Sequence, residues 1–503
     1  MSGYMPVKHA IVIGAWATLV ASAAQAQSTA GVNLPGAPSS QASPVPGNDS
    51  PASNTAPSPG EPGFMTGLLG SSRTNLLGDI YGVRPLLNEY GISLGLQETS
   101  EVLGNVSGGV RRGAAYEGLT SMSMGVDLGK AIGLEGGIFN VSAFQIHGRN
   151  LSAENLYTLQ TASGIEALRA TRLWELWYQQ SFAGGKADIK IGQQSLDQEF
   201  YGSAYSGLFI NTMMGWPLIP SVNLYAGGPA YPLASLGVRL RVQPMDNMTV
   251  LGGVFDDNPP GGSFFDDSQV RGASQSGTKF NLRTGALIFG EVQYAINAPV
   301  SGQMDYGNSK PGLPGIYKLG FYYDTAKYYD QRLDTTGLSL ADPDSSGDPR
   351  VRRGNFSVYG VFDQVVWRPD PDGAKTVGIF ARIMGAPGDR NVSNFSVNGG
   401  VVLKAPFTGR EADSVGLGFG FAKISPGATS GDRDRLAING LSPVRGSETF
   451  LETTYQYQVA PWWTLQPDLQ YVFTPAGGVS NPFQPGKRVG NSATFGLRTN
   501  IVF

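Results

Sequence analysis

The sequence predicts an all-β fold: a transmembrane antiparallel β-barrel of about 16 strands, preceded by a disordered leader and a short N-terminal helix. Three observations predict it. Charged residues make up only 15% of the 503, against about 25% in an ordinary soluble domain, while the chain holds 70 Gly, 24 Phe and 21 Tyr. About 16 segments beyond residue 91 alternate apolar and polar side chains with a period of two. The connections between these segments alternate short and long, as periplasmic turns and outer loops do in a barrel.

Residues 1–26 read as a signal peptide. Lys8 and His9 form its weakly basic start, Ala10 to Ala23 its apolar stretch, and Ala24-Gln25-Ala26 a small-x-small cleavage pattern just before Gln27. The apolar stretch is shorter than the roughly 20 residues of a spanning helix. Residues 27–63 are rich in Pro, Ser, Ala and Gly, with too few large apolar side chains to offset the entropy of ordering, so this segment is expected to be a disordered linker. Residues 64–90 form the helical periplasmic segment. Within it Ile80, Val83, Leu86, Leu87 and Tyr90 recur at helical spacing, with Asp79 as the expected N-cap and Pro85 limiting the length.

Residues 91–503 are expected to form the barrel. The last strand shows the pattern: Ala493, Phe495, Leu497, Thr499, Ile501 and Phe503 alternate with Thr494, Gly496, Arg498, Asn500 and Val502. An apolar face backed by a polar one suits a wall between lipid and water. The strand ending in Phe503 also matches the signal by which barrel-assembly machinery takes up such chains. Short turns at Ala183-Gly184-Gly185, Pro244-Met245-Asp246 and Ala460-Pro461-Trp462 alternate with long connections at 149–168, 196–232, 257–283, 326–354 and 425–447. The connection 297–314 is long where a short one is expected, which would fit a pair of strands missed nearby.

A barrel of about 16 strands leaves an aqueous channel rather than a packed interior. A carboxylate facing lipid is costly, so charged positions mark the inner face. On this rule Lys190, Arg239, Arg241, Glu291, Lys318, Asp324, Arg382, Glu452, Asp468 and Arg498 face the lumen, as does Glu175 with Trp177 and Gln179, opposite Trp174, Leu176 and Tyr178. Gln194 joins them as a candidate pore-lining group, and Arg239 with Arg241 is the pair expected at a constriction. Taken singly, such charges need do no more than keep a lumen wet. The connection 196–232 carries Asp197, Glu199, Phe200, Tyr201, Tyr205, Phe209, Trp216 and Tyr225, which suits a loop folded inward to narrow a pore or packed on the wall.

The run Trp174-Glu175-Leu176-Trp177-Tyr178-Gln179-Gln180, followed by Ile191-Gly192-Gln193-Gln194 and Glu199-Phe200, resembles the carbohydrate-selective porins of the OprB type. Gly78 to Arg84, Leu86 to Gly91, and the stretch from Glu448 to Phe473 with Glu452, Tyr455, Pro461-Trp462, Gln466-Pro467-Asp468 and Gln470-Tyr471 resemble them too. The resemblance covers roughly residues 70 to 503. It implies a 16-stranded outer-membrane porin in a Gram-negative cell, passing small sugars such as glucose by diffusion, with outer-membrane lipid around it.

Other classes find less support. The net charge of -3 without a basic stripe indicates no nucleic-acid partner. With no Cys and only His9 and His147, thiolate metal sites and cysteine catalysis are excluded, and neither metal nor cofactor is expected. His147 reads as a wall residue. An outer-membrane or secreted all-β hydrolase acting on carbohydrates is the alternative, with Asp256-Asp257 and Asp266-Asp267 as its paired carboxylates. A ligand-gated importer would need a folded plug larger than the segment from Gln27 to Glu89 supplies. The oligomeric state is left open.

Overall fold

A computed structural model describes residues 73–261, 276–297, 312–370, 373–440 and 443–503. The expected signal peptide and the linker lie outside the described residues, as do residues 64–72 of the expected helical segment. From Ile92 onward, sixteen antiparallel strands close into a barrel. In chain order they are β1 (Ile92–Gly109), β2 (Gly113–Asp127), β3 (Gly137–Gly148), β4 (Ala170–Phe182), β5 (Ala187–Gln194), β6 (Ser235–Met245), β7 (Met248–Asp256), β8 (Ala286–Ile296), β9 (Gly315–Asp334), β10 (Pro349–Trp367), β11 (Thr376–Gly385), β12 (Ser393–Lys404), β13 (Ser414–Ile424), β14 (Ser447–Ala460), β15 (Trp463–Phe473) and β18 (Gly490–Val502). The small pair β16 (Ser480–Asn481) and β17 (Gln484–Arg488) sits in the loop before β18. β18 pairs with both β15 and β1, which shuts the cylinder.

The alternation seen in the sequence becomes two faces. Outside stand Tyr317, Leu319, Phe321 and Tyr323 on β9, and Phe356 and Val358 on β10, all well exposed. Inside stand Gln97, Thr99 and Glu101 on β1 and Gln466, Asp468 and Gln470 on β15, all buried. Such walls present an apolar belt of about 25 Å to lipid.

Four details depart from the sequence reading. No further strand enters the barrel between β8 and β9, because Ile296 faces Gly315 directly across that pair. The expected loop 326–354 is shorter than its span, since β9 and β10 run on to Asp334 and from Pro349. Asp334 closes their hairpin by accepting from the backbone of Thr336, Gly337 and Leu338 on one oxygen and from Ser346 on the other. Among the described residues the helix before the barrel is Val83–Glu89, its N-cap is Gly82 rather than Asp79, and Pro85 lies in its first turn, where a missing N–H costs nothing. Finally, the β3–β4 register slips between Ser142 and Ala143, so Trp174 and Glu175 both turn inward. Trp174 therefore does not oppose Glu175; its ring lies 4.3 Å from that of inward Phe144.

Candidate channel constriction

Two outer loops fold down into the barrel and meet. The longer, 195–234, joins β5 to β6; the other, 149–169, joins β3 to β4. They are bonded to each other through Gly164 N to Ile210 O (2.9 Å) and Thr212 N to Thr161 O (3.1 Å). The wall reaches inward to hold both, using side chains whose alternation puts them on the inner face.

Arg382 on β11 is the strongest of these holds. It is 2% exposed. Its guanidinium donates to the carbonyls of Tyr201 (3.3 Å), Met213 (2.6 Å), Met214 (2.6 Å) and Gly215 (2.6 Å), while Asn398 accepts from its Nε at 3.0 Å. Three strands further round, Glu452 on β14 accepts from the amides of Ile210 (2.5 Å) and Asn211 (3.3 Å), with Asp468 on β15 beside it. Glu291 on β8 accepts from Tyr201 N at 3.1 Å, and Asp363 on β10 from Ser203 Oγ at 2.5 Å. Apolar packing fills in between. Phe200 lies 4.8 Å from Phe289, Tyr201 4.1 Å from Tyr359, and Trp216 meets Tyr201 edge-on at 5.0 Å while its Nε1 donates to Gly227 O at 2.9 Å.

Where the long loop leaves β5, an ionic cluster forms. Parity puts Asp188 and Lys190 of β5 on the inner face with Arg239 and Arg241 of β6, which stand opposite them in register. Asp188 binds both arginines, Arg241 Nε at 2.5 Å, and Glu199 of the loop binds Lys190 and Arg239. Burial alone would raise the Glu199 carboxyl; Lys190 and Arg239 outweigh it and hold the group at about 2. Lys190 also stands 4.4 Å from the centre of the Trp177 ring, and Glu175 accepts from Ser195 N at 3.0 Å. Gln194 donates to Gly237 O at 3.1 Å, and Asp197 takes Ser195 Oγ (2.7 Å) and Tyr231 N (3.1 Å), stapling the loop's two ends together.

The structure thus brings Glu175, Trp177, Lys190, Arg239, Arg241 and Glu199 into one cluster. Arg382, Glu452 and Asp468 stand across the lumen, and Arg498 stands apart, paired with Glu101 of β1. All of them point inward, but most are covered by loop rather than open to water, because they are anchors for it. Two groups were missed from the sequence. Asp188 was legible, since it alternates with Lys190. The shorter loop was not, for its anchors are backbone amides: Leu151 N to Glu117 (2.9 Å), and Leu159 N (2.9 Å) and Gln160 N (2.7 Å) to Glu448.

Within that shorter loop, burial pushes the Glu166 carboxyl up to about 7, helped by the charge of Glu101; Glu166 holds Ser152 N at 2.9 Å. An acid whose folded value lies above its unfolded one stabilises the fold while protonated, and that contribution is lost as pH rises through about 7. Amide exchange in 149–166 should therefore quicken between about pH 4.5 and 7 beyond its intrinsic rise. Unchanged protection across that window would refute this role for Glu166.

Of the hydrolase carboxylates, Asp256 and Asp257 lie side by side at the end of β7, bonded to Asn281 and Thr284, while Asp266 and Asp267 lie outside the described residues.

Comparison with known proteins now adds to this geometry. The sequence profile of the carbohydrate-selective porins, OprB family, matches residues 111–503. The chain belongs to the OprB family. It is 27% identical over 455 residues to Porin B of Pseudomonas aeruginosa, covering 85% of this chain and 91% of that protein. It is 24% identical over 426 residues to the putative porin QuiX of Acinetobacter baylyi, covering 80% and 89%. In three dimensions the high-pH structure of Pseudomonas putida OprB superposes with a TM-score of 0.74 at 23% identity, covering 86% of this chain and all of that one. At that identity the superposition speaks for the barrel fold. The chain is an outer-membrane porin of this family, as the resemblance in its strands implied.

Proposed function

We propose that the chain forms a water-filled channel through which small carbohydrates such as glucose diffuse passively, narrowed by the loops 195–234 and 149–169. The observation that carries this reading is the Arg382 clamp: a porin wall spends a buried guanidinium on holding a loop across its own lumen. Behind the passage, Gln179 accepts from Arg239 at 3.2 Å, and the buried Gln179 Nε2 and Lys318 Nζ have no hydrogen-bond partner among the described residues. Trp177 is buried with Lys190 on its ring, so it braces the ionic cluster behind the passage. Charged groups of both signs at a narrow passage also set ion preference.

The reading carries a location and a route: export by the leader 1–26, uptake by barrel-assembly machinery through the strand ending in Phe503, and insertion among outer-membrane lipids. The test is swelling of liposomes holding the purified barrel. Pentoses and hexoses should enter, and disaccharides at least about tenfold more slowly. A folded barrel that admits no sugar, or all sizes equally, would refute it.

A further inference from the structure

The upper ends of β9 and β10 carry charge on the side that faces away from the channel. Outward residues on β9 climb from Leu319 through Phe321 and Tyr323 to Lys327, toward the hairpin closed by Asp334. On β10 they climb from Val358 through Phe356 to Arg353, the register partner of Lys327. A bulge sets the direction of that arginine. Strict alternation from Phe356 would turn Arg352 outward and Arg353 inward. At Gly354, with φ 73°, the register slips. Arg352 therefore turns to buried Asp330 (2.7 Å), and Arg353 is exposed. Tyr323 lies against the same bulge, since a Cβ on Gly354 would meet its hydroxyl at 2.7 Å. Apolar residues, then a tyrosine, then cations is the order in which a wall meets acyl chains, interface and headgroups. Among the described residues neither Lys327 nor Arg353 has an ion-pair partner.

Beside this pair the wall is notched. Phe356 and Val358 of β10, Gly385 at the end of β11 and the following Ala386 and Pro387 line a groove of about 430 Å³. Clefts for small ligands run from roughly 300 to 1,000 Å³. Val358 and Gly385 are register partners, and a Cβ on Gly385 would meet nothing within 4 Å. Arg390 ties the turn after β11 to the bulge: its Nη1 donates to the carbonyls of Arg353 (3.1 Å) and Gly354 (2.7 Å). Its Nε (2.8 Å) and Nη2 (3.0 Å) hold Asp389, which also lies 3.5 Å from Arg352 Nε. That carboxylate is thus answered locally, and the charge of Lys327 and Arg353 is left over.

We propose that the groove and the Lys327–Arg353 pair bind one outer-leaflet lipid whose headgroup carries a phosphate monoester. An acyl chain lies against Phe356 and Val358, and the phosphate sits on the two cations. The chemistry selects the occupant. A soluble anion would answer the cations and leave the groove unfilled; a neutral lipid would do the reverse. The number of charges narrows the choice further. A phosphate monoester carries about 1.5 to 2 negative charges near pH 7, which matches two cations, whereas a phosphodiester carries one. Arginine takes phosphate as a planar fork and lysine as a point charge, so the pair offers both shape and strength.

Lipid A, which bears phosphate monoesters on an acylated disaccharide, is the probe. The purified barrel in mild detergent, titrated with lipid A and read by native mass spectrometry, should hold one molecule per chain. Phosphatidylglycerol, and lipid A stripped of its phosphates, should each bind at least about tenfold more weakly. Lys327→Gln with Arg353→Gln should weaken lipid A binding by a similar factor. So should Gly385→Trp, which fills the groove and leaves every charge in place. Lys375→Gln, just before the other end of β11, should bind as the wild type does. Heat-modifiable gel mobility reports folding of each variant, and the comparison of lipids on the wild type stands without any variant. Equal binding of the three lipids would overturn the proposal. So would lipid A binding that survives in the folded double variant or in folded Gly385→Trp, or that falls equally in Lys375→Gln. Binding is read without sugar, so this proposal and the sugar-channel reading fail independently.

Discussion

Arg382→Ala is expected to raise single-channel conductance severalfold and to let disaccharides into liposomes at rates near those of monosaccharides. The substitution leaves four carbonyls, those of Tyr201, Met213, Met214 and Gly215, without their donor in a buried setting. Each such group costs about 1–3 kcal/mol where water does not reach it. The loop relieves that cost by lifting from β11 toward water, which widens the passage. Arg382→Lys should fall between, because an ammonium keeps the charge but cannot span four carbonyls as a planar fork does. Bilayer recordings decide the matter: unchanged conductance in Arg382→Ala would mean that the loop is held in place without the clamp.

Asp188→Asn should have the largest effect on ion preference. Asp188 is fully buried and serves both Arg239 and Arg241. With Lys190, Glu199 and Glu175 the cluster carries three positive and three negative groups, so the substitution raises its net charge from zero to plus one. The reversal potential in a salt gradient should move toward anion selectivity. Replacing Arg239 and Arg241 together by Ala should move it the other way, toward cations. The Asn variant should also lose stability, since removing one partner of a buried pair costs about 3–5 kcal/mol. If neither variant shifts the potential, the cluster lies off the ion path.

Much of the architecture was legible because lipid and water impose opposite demands on neighbouring residues. Strands such as β6, with Leu236, Val238, Leu240 and Val242 set against Arg239 and Arg241, declare both their existence and their inner face. The inward fold of the long loop was legible as a candidate from its Trp216, Tyr201 and Phe200. What stayed hidden depends on distant partners. Nothing near Leu159 announces that its amide meets Glu448, 289 residues away. A register slip at Ser142 turns Trp174 inward without breaking the local pattern. Burial of the inner charges was likewise hidden: alternation says which way Arg382 points, but not that a loop comes back to meet it.

The pairing of β1 with β18 has a kinetic consequence. Glu101 and Arg498, which bond across that seam, are 397 residues apart in the chain. Contacts so remote in sequence form slowly, because the closing entropy must be met before any stabilisation arrives. Until Gly490–Val502 is in place, β1 and β15 each present a row of unpaired N–H and C=O groups, a template for aggregation. Channel formation is therefore all-or-none in this last step. Chains shortened within β18 should be cleared as misassembled protein rather than accumulate as leaky pores.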